Sequence, residues 1–223
     1  MVVVHHLNNS RSQRVLWLLE ELGVPYQIKH YARDRKTMLA PPALKAVHPL
    51  GKSPVITDGE ITVAESGAIM EYLVERYGNG RMIPAAGTPE RLRYRYWMHY
   101  AEGTFATLMI ISLLMARIER APLIVRPVAK AISRMVKKSY LTPNVENNLD
   151  FMEAELGQSA WFAGNELTAA DVQMSFALEA AATRGGLDSR RPRLHALLAR
   201  MHARPAYRRA LEKGGPYQLM GGR

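Results

Sequence analysis

The sequence predicts an α+β protein in which a small mixed sheet with helices precedes an all-helical region. Three observations lead to this prediction. Strand and helix patterns alternate at first, a Gly- and Pro-rich segment covers residues 78–90, and helical periodicity dominates afterwards. We therefore expect a first domain over residues 1–84, a linker over 85–89 and an all-helical domain over 90–223.

The first part of the chain begins with a β-α-β pattern. Residues 2–7 are rich in β-branched side chains and predict a strand. The apolar residues that follow are spaced i, i+3, i+4 and i+7 on one helical face, namely Val15, Leu18, Leu19 and Leu22. Gly23 and Pro25 are typical of the end of that helix. Residues 26–31 alternate as a second strand, which can pair in parallel because a crossover helix precedes it.

A hairpin and a helix complete the predicted order β-α-β-α-β-β-α. Asp58-Gly59 lies between β-rich runs at 54–57 and 60–63, and this dipeptide favours a two-residue hairpin turn. A short helix is expected before the hairpin, over residues 42–47. A longer helix is expected after it, from Ser66 to about Tyr77.

The second part is predicted to be helical, over residues 90–118, 124–156, 169–184, 191–203 and 205–213. Thr168 and Asp171 have the spacing of a capping box for the third of these helices. We therefore interpret Asp171 as a structural residue and not as a catalytic acid. The glycine-rich segment 214–223 is expected to be a loosely held tail.

The composition excludes several kinds of site. The 223 residues include no cysteine, which excludes disulfides, thiolate metal sites and a cysteine nucleophile. No metal site is predicted from the other residues. Any thiol chemistry must therefore use a thiol that a ligand brings.

The sequence predicts neither a signal peptide nor a membrane-spanning segment. Polar residues follow Met1–Val4 at once, so the N-terminus does not resemble a signal peptide. The longest apolar run, residues 105–116, is too short to span a bilayer and is expected to be a buried core helix. We expect a cytoplasmic protein with no membrane partner.

The charge is strongly basic, with 30 Lys and Arg against 20 Asp and Glu, a net charge of +10. No base-stacking or recognition-helix motif accompanies it, so nucleic acid is not an expected partner. Residues 117–138 hold seven cationic residues and one acidic residue, a net +6. This segment could be a dimer-edge helix, a region that attracts an anionic ligand, or a soluble surface.

Three segments suit an anionic or peptide ligand. In the loop 8–14, Ser10 lies near the positive end of a helix, where a hydroxyl can hold an anion or only cap the helix. Ser53-Pro54 is an X-Pro bond, and its cis form would expose backbone groups to an extended peptide. Glu65-Ser66 opens a helix, and could either hold an amino-acid end or act as a plain cap.

The order and spacing of these motifs resemble the soluble glutathione transferase family over essentially the whole chain. The segments that carry the resemblance are NNSRSQR, HPLGKSPVI, AESGAIMEYL and AGNELTAADV. The most similar members are bacterial and fungal ones of the serine type. The resemblance implies a thioredoxin-like first domain followed by a helical domain, which is the glutathione transferase fold.

The resemblance implies that Ser10 is the hydroxyl that activates the thiol of glutathione, with Arg14 four positions on. Ser12 and Asn9 remain alternatives for that role. Three further regions are implied to bind parts of glutathione: the cysteinyl part at Ser53-Pro54, the γ-glutamyl end at Glu65-Ser66, and the glycyl carboxylate at Lys52 and His48.

The resemblance also implies an enzyme that conjugates glutathione, as a co-substrate and not a permanent cofactor, to a hydrophobic electrophile, as in detoxification. A homodimer is implied as well. Candidates for the electrophile pocket are Tyr100, Phe105 and Met109, which equally suit the core of the helical domain. Reduction of hydroperoxides by the same thiolate is an alternative activity. A non-catalytic interaction module with this fold is an alternative of another class.

Overall fold

A four-stranded mixed sheet organises the N-terminal part of the chain. The computed structural model describes residues 1–34, 37, 39–215 and 217–220. The strands are β1 (Val2–Leu7), β2 (Tyr26–Tyr31), β3 (Val55–Asp58) and β4 (Ile61–Ala64). Their order is β2-β1-β3-β4, with β1 and β2 parallel and the other two pairs antiparallel. This is the predicted order, with Asp58-Gly59 at the hairpin.

Three helices belong to this sheet: α1 (Ser12–Leu22), α2 (Pro42–Lys45) and α3 (Ser66–Tyr77). Helix α1 is the crossover that makes the parallel pair possible. It ends at Gly23, whose φ of 69° lies in the left-handed region that glycine adopts without strain. Because β1 is central and its side chains are buried, the residues that follow it stand at the middle of one sheet edge.

The rest of the chain is helical, as predicted. The helices are α4 (Pro89–Tyr100), α5 (Ala106–Ile118), α6 (Arg126–Val136), α7 (Thr142–Glu155), α8 (Ala169–Ala180), α9 (Pro192–Ala203) and α10 (Pro205–Gly214). Single π-helical turns join α4 to α5 at Ala101–Phe105 and α6 to α7 at Lys137–Leu141. Another π-helical turn, Ala181–Gly185, extends α8.

The main hydrophobic core runs through both parts of the chain, and a smaller cluster of Leu7, Tyr31 and Leu44 lies apart from it. Helix α1 packs on α3 and the sheet on one side and on α8 and α10 on the other. Trp17 of α1 is fully buried, and its ring centroid lies 5.1 Å from that of Tyr207. Burial of two large rings at this contact holds the helical part against the sheet.

The tail prediction was wrong for the part of the tail that the structure describes. Leu219 is buried, and the Tyr217 hydroxyl donates to Glu179 Oε2 over 2.8 Å. A 3₁₀ turn, Gln218–Met220, returns to the loop after β1. The side chains of Tyr217 and Leu219 therefore hold in place a segment that was predicted to be loose because of its glycines.

The stretch Pro89–Ile118 is the one described helix that is long and apolar enough to cross a membrane by length and composition. Only 28% of its most apolar window is buried, so the expectation of a buried core helix over residues 105–116 is wrong for most of that run. Tyr94, Trp97 and Phe105 of this stretch are buried in the common core. Other residues of the stretch stay exposed, among them Ile110, Leu114 and Ile118.

The capping box of α8 is present, which confirms the prediction that Asp171 has a structural role at the start of this helix. The carboxylate is fully buried and accepts hydrogen bonds from the Thr168 N–H and from the Phe162 N–H, each over 2.8 Å. Burial raises its pKa to about 6 despite these bonds. The side chain joins the helix start to the preceding loop.

We expect Asp171→Ala to lower the free energy of unfolding by about 3 kcal/mol, because it leaves two buried N–H groups without an acceptor. Urea unfolding monitored by tryptophan fluorescence measures this. The exposed Glu166 on the same loop offers a control. Glu166→Ala should change the stability by less than about 0.5 kcal/mol. Equal effects of the two variants would contradict the structural role.

Candidate functional site

The loop after β1 places a serine hydroxyl at the sheet edge. Ser10 is almost fully buried, and α1 begins two residues later, at Ser12. The Ser10 Oγ accepts the Ser12 N–H over 3.3 Å and lies 2.7 Å from the Ser12 Oγ and 3.4 Å from the Ser53 Oγ. A hydroxyl at a helix start that already accepts an N–H is well placed to donate its own proton to an anion.

The two alternatives to Ser10 are engaged elsewhere. Ser12 is fully buried, and its Oγ lies 2.9 Å from the His6 Nδ1. Burial lowers the pKa of His6 to about 4, with nearby His30 acting in the same direction. The Asn9 side chain bonds to Gln218, accepting its N–H over 2.8 Å. Of the three side chains, only that of Ser10 is next to Ser53.

Ser53-Pro54 is a cis peptide bond immediately before β3. The Ser53 hydroxyl donates to the His5 carbonyl over 2.9 Å and accepts the Leu7 N–H over 3.3 Å, which ties the loop to β1. Within the described residues, the backbone N–H and carbonyl of Ser53 have no hydrogen-bond partner. They are available to an extended ligand in the manner of a strand.

The start of α3 provides a second polar anchor. Glu65 has a φ of 71°, and Ser66, buried, is the first helical residue rather than the cap that the sequence suggested. No side chain caps this helix, so its first N–H groups are available to a carboxylate. The exposed Glu65 carboxylate beside them suits an ammonium group.

A cavity of about 110 Å³ lies where these segments meet. It is lined by Arg11, His48, Leu50, Lys52, Ser53, Pro54, Ala64, Glu65, Ser66 and Glu102. All six residues predicted around the two loops therefore line one small polar cavity. Its walls offer backbone groups, cations and one helix start, a set that suits a short zwitterionic peptide.

A second, more apolar cavity of about 290 Å³ shares Arg11 and lies on the side of the helical region. Its apolar walls include Met109, Ile110, Leu113, Phe176 and Leu219. Met109 is one of the three residues that the sequence suggested for an apolar pocket. The C-terminal residues Gln218 and Leu219, which the sequence did not suggest, form another wall.

Tyr100 and Phe105, the other two residues that the sequence suggested for an apolar pocket, do not line this cavity. The Tyr100 hydroxyl donates to Asn148, and its ring packs 4.9 Å from that of Trp97. Phe105 is fully buried. Both belong to the core of the helical domain, which was the other reading that the sequence left open.

An ion pair that the sequence did not suggest lies next to the smaller cavity, which Glu102 lines. The Arg14 guanidinium is buried and lies 2.5 Å from Glu102, while the Arg11 Nε lies 3.1 Å from the same carboxylate. Burial alone would raise the pKa of Glu102, but Arg14 and Arg11 hold it below its usual value. The sequence did contain a signal for this ion pair, because Glu102 is the single charged residue in the otherwise uncharged segment 100–116.

Comparisons with known proteins show the family to which this chain is similar. Residues 10–76 match the family model described as glutathione S-transferase, N-terminal domain, and residues 116–200 match the one described as glutathione S-transferase, C-terminal domain. Glutathione S-transferase 3 of Schizosaccharomyces pombe is 40% identical over 81% of this chain and 74% of its own length. Glutathione S-transferase 1 of Saccharomyces cerevisiae is 30% identical over 81% of each chain.

Solved structures with the same fold include two with related sequences. A glutathione S-transferase from Actinobacillus pleuropneumoniae has a TM-score of 0.82 and 32% identity, covering 100% of this chain and 97% of its own. A theta-class glutathione S-transferase from Xanthomonas axonopodis pv. citri, solved with glutathione bound, has a TM-score of 0.73 and 26% identity. That alignment covers 94% of this chain and 96% of the other.

The buried His6 behind the site makes a prediction about acid stability. Its folded pKa of about 4 lies below its usual 6.5, so the unfolded state takes up a proton first as the pH falls. This contribution to stability is complete above pH 6.5 and decreases below it. Between pH 7 and pH 5, wild type should lose about 2 kcal/mol through this residue.

Urea unfolding at pH 7 and pH 5 tests this with His6→Asn, whose amide can still bond to Ser12. The variant should lose about 2 kcal/mol less than wild type over that interval. His99→Asn, at an exposed position, is the control and should follow wild type. A pH dependence of His6→Asn that equals that of wild type would contradict the assignment.

Proposed function

The chain belongs to the glutathione S-transferase family, and from this premise we propose that it binds glutathione in the smaller cavity, stabilises the thiolate and transfers it to an apolar electrophile. The observation that carries the proposal is that Ser53, whose backbone groups have no partner among the described residues, and the uncapped start of α3 line one cavity. The Ser10 hydroxyl does not line that cavity and lies behind its wall, 3.4 Å from the Ser53 Oγ.

The proposed pose of glutathione follows from the groups that each wall offers. Its γ-glutamyl carboxylate accepts from Ser66 and the first N–H groups of α3, and its ammonium group pairs with Glu65. The cysteinyl unit pairs with the backbone of Ser53 as a short strand. The glycyl carboxylate lies near Lys52 and His48, both of which line the same cavity. In this pose the sulfur reaches the Ser10 side of the cavity.

Ser10 then acts as a hydrogen-bond donor and not as a base. Its O–H turns from the Ser12 Oγ to the sulfur, while the Ser12 N–H continues to donate to the Ser10 Oγ. Lowering a thiol pKa from about 8.5 by two units needs roughly 2.7 kcal/mol of differential stabilisation. One charge-assisted hydrogen bond contributes about 1.5–3 kcal/mol, so this single donor is sufficient in magnitude.

The transfer step balances without a further reactant. The thiol proton is released to water, and the sulfur lone pair attacks the electrophilic carbon to form a C–S bond. With an aryl chloride, chloride then leaves with the C–Cl bonding pair. The larger cavity supports an apolar electrophile, because Met109, Ile110 and Phe176 line it. Arg11, shared by both cavities, lies where negative charge develops.

We also propose the organisation that the family implies: a homodimer in the cytoplasm with a detoxifying role. Support for the dimer comes from large apolar side chains left exposed on α4 and α7, namely Leu92, Tyr96 and Phe151. We place the domain limits at 1–84 and 90–223, with 85–89 as the linker. The matched ranges 10–76 and 116–200 are compatible with these limits.

Substitution of the proposed donor tests the mechanism. Ser10→Ala should lower kcat for 1-chloro-2,4-dinitrobenzene about 10- to 100-fold at pH 6.5 and leave the affinity for glutathione nearly unchanged. The reason is that the pKa of the bound thiol rises, so the variant should recover activity as the pH increases. Thiolate absorbance at 240 nm measures that pKa directly.

Ser12→Ala and Ser139→Ala are the matched controls, the first buried beside Ser10 and the second exposed and remote. Neither should shift the thiol pKa as Ser10→Ala does. An unchanged rate in Ser10→Ala would remove Ser10 from the mechanism. A hydroperoxide assayed in parallel tests whether reduction is the main reaction of the same thiolate.

The start of α3 makes a separate prediction about binding. Ser66→Ala should raise KM for glutathione about ten-fold with little change in kcat, because the lost hydrogen bond acts equally on bound substrate and transition state. Thr62→Ala on the exposed side of β4 is the control. Initial rates over a range of glutathione concentrations separate the two constants. A loss confined to kcat would contradict the proposed pose.

A further inference from the structure

The turn between α5 and α6 exposes apolar side chains to an unusual degree. Leu123 is 76% exposed and Ile124 is 94% exposed, so almost no part of the Ile124 side chain contacts this chain. Isolated apolar residues on a surface are ordinary, but adjacent ones at the tip of a turn are a recognised sign of an interaction site.

Helix α6 continues this apolar surface. Four exposed apolar residues lie at i, i+3, i+7 and i+10 and so share one stripe of the helix: Val125, Val128, Ile132 and Met135. Ser133 is the one residue of α6 that is fully buried. The helix therefore turns its most apolar stripe away from the core, which is the reverse of the usual arrangement in a globular domain.

Helix α5 adds a second stripe next to the turn. Ile110, Leu114 and Ile118 recur every four residues and are all exposed, whereas Leu108 and Met109 pack into the core. Ile110 also lines the larger cavity. The apolar surface therefore runs from that cavity along α5 to the turn and onto α6.

Cations lie on another stripe of the same helix. Arg126, Lys130 and Arg134 recur every four residues, and Lys137 and Lys138 follow in the π-helical turn. A depression of about 530 Å³ is lined by Lys130, Arg134, Lys137 and Lys138 with a single carboxylate, that of Glu119. Such a depression is large enough for a phosphate-containing headgroup and has the charge to attract one.

Among the residues that the structure describes, only Lys137 of these cations has a carboxylate partner. The Lys137 Nζ lies 2.6 Å from Glu119, whose carboxylate also accepts from Ser133. Within the part of the chain that the structure describes, Lys130, Arg134 and Lys138 have no carboxylate within ion-pair distance. The surface thus combines uncompensated positive charge with uncovered apolar area.

The chemistry of the partner follows from that combination. A nucleic acid would pair with the cations but leave the apolar stripe in water. A second copy of this chain would cover the stripe, but a two-fold contact would bring two segments of net +6 together. An anionic bilayer satisfies both needs, because its headgroups attract the cations and its acyl boundary accepts the apolar side chains.

We propose that the turn 119–125 and helix α6 form a docking surface for an anionic bilayer. The helix lies along the membrane plane, with Leu123 and Ile124 inserted at the acyl boundary and Lys130, Arg134 and Lys138 at the headgroups. The sequence predicted no membrane partner, because its longest apolar run is too short to span a bilayer. Peripheral docking needs no spanning segment and does not depend on the proposed catalysis.

Co-sedimentation of the full-length protein with vesicles tests the proposal. We compare vesicles of pure phosphatidylcholine with vesicles that contain 30% phosphatidylserine, at low and high salt. Binding should require phosphatidylserine and weaken at high salt. Lys130→Gln/Arg134→Gln should weaken it about 25-fold, from about five-fold for each charge. Ile124→Ser should weaken it about ten-fold or more.

Matched controls separate docking from general charge or hydrophobicity. Lys45→Gln/Arg95→Gln removes two exposed cations elsewhere, and Leu39→Ser removes an exposed leucine elsewhere. Both should bind vesicles as wild type does. All these positions are exposed, so the midpoint of thermal unfolding should stay within about 2 °C of wild type, which separates lost docking from lost folding.

Several outcomes would overturn the proposal. Binding to vesicles that does not depend on phosphatidylserine would contradict an anionic docking surface. Binding that is unchanged in both the charge variant and Ile124→Ser would place the membrane contact on another surface. A molar mass by light scattering that halves in Ile124→Ser without vesicles assigns the surface to a second copy. Retention on DNA that is lost in the charge variant but kept in Ile124→Ser assigns it to nucleic acid. None of these readouts requires glutathione, so failure here is distinguishable from failure of the proposed activity.

Discussion

The buried Arg14–Glu102 ion pair is the interaction on which the rest of the structure depends. Arg14 lies on the first helix after β1, and Glu102 lies in the π-helical turn between α4 and α5. The guanidinium also donates to the Gln173 carbonyl of α8 and lies 5.5 Å from the ring of Phe176. These partners offset much of the cost of burying the guanidinium, although its Nε has no hydrogen-bond partner among the described residues. The sheet and the helical region must therefore dock before this charge is satisfied.

The same carboxylate shapes the site, because Glu102 also pairs with Arg11, the residue common to both cavities. Docking of the two halves thus forms the cleft and positions its central cation in one event. The two sides of the cleft then differ for a physical reason. The sheet side ends in loops and a helix start, which leave backbone groups unpaired. The helical side offers the apolar flanks of α5 and α8.

Helix α5 serves two surfaces at once because only one of its faces is used by the core. Leu108 and Met109 are buried, whereas Leu114 and Ile118 remain exposed and lead to the apolar turn. The net positive charge of the chain is likewise concentrated, with +6 of the total +10 in residues 117–138. Apolar exposure and charge coincide at the C-terminal end of α5, the helix that lines the larger cavity from Ala106 to Arg117. Membrane docking there would place the cleft of the enzyme close to apolar electrophiles dissolved in lipid.

The sequence by itself determined the order of the elements, the capping box at Thr168 and Asp171, and the two loops that line the polar cavity. Periodicity, caps and X-Pro bonds act over a few residues, so their outcome is written locally. Only the tertiary structure decided that Glu102 meets Arg14, 88 positions earlier, and that Ser12 turns inward to His6. It also decided that Phe105 is buried and that Leu219 closes a cavity wall. These depend on which helix faces meet after docking, and no local pattern specifies that.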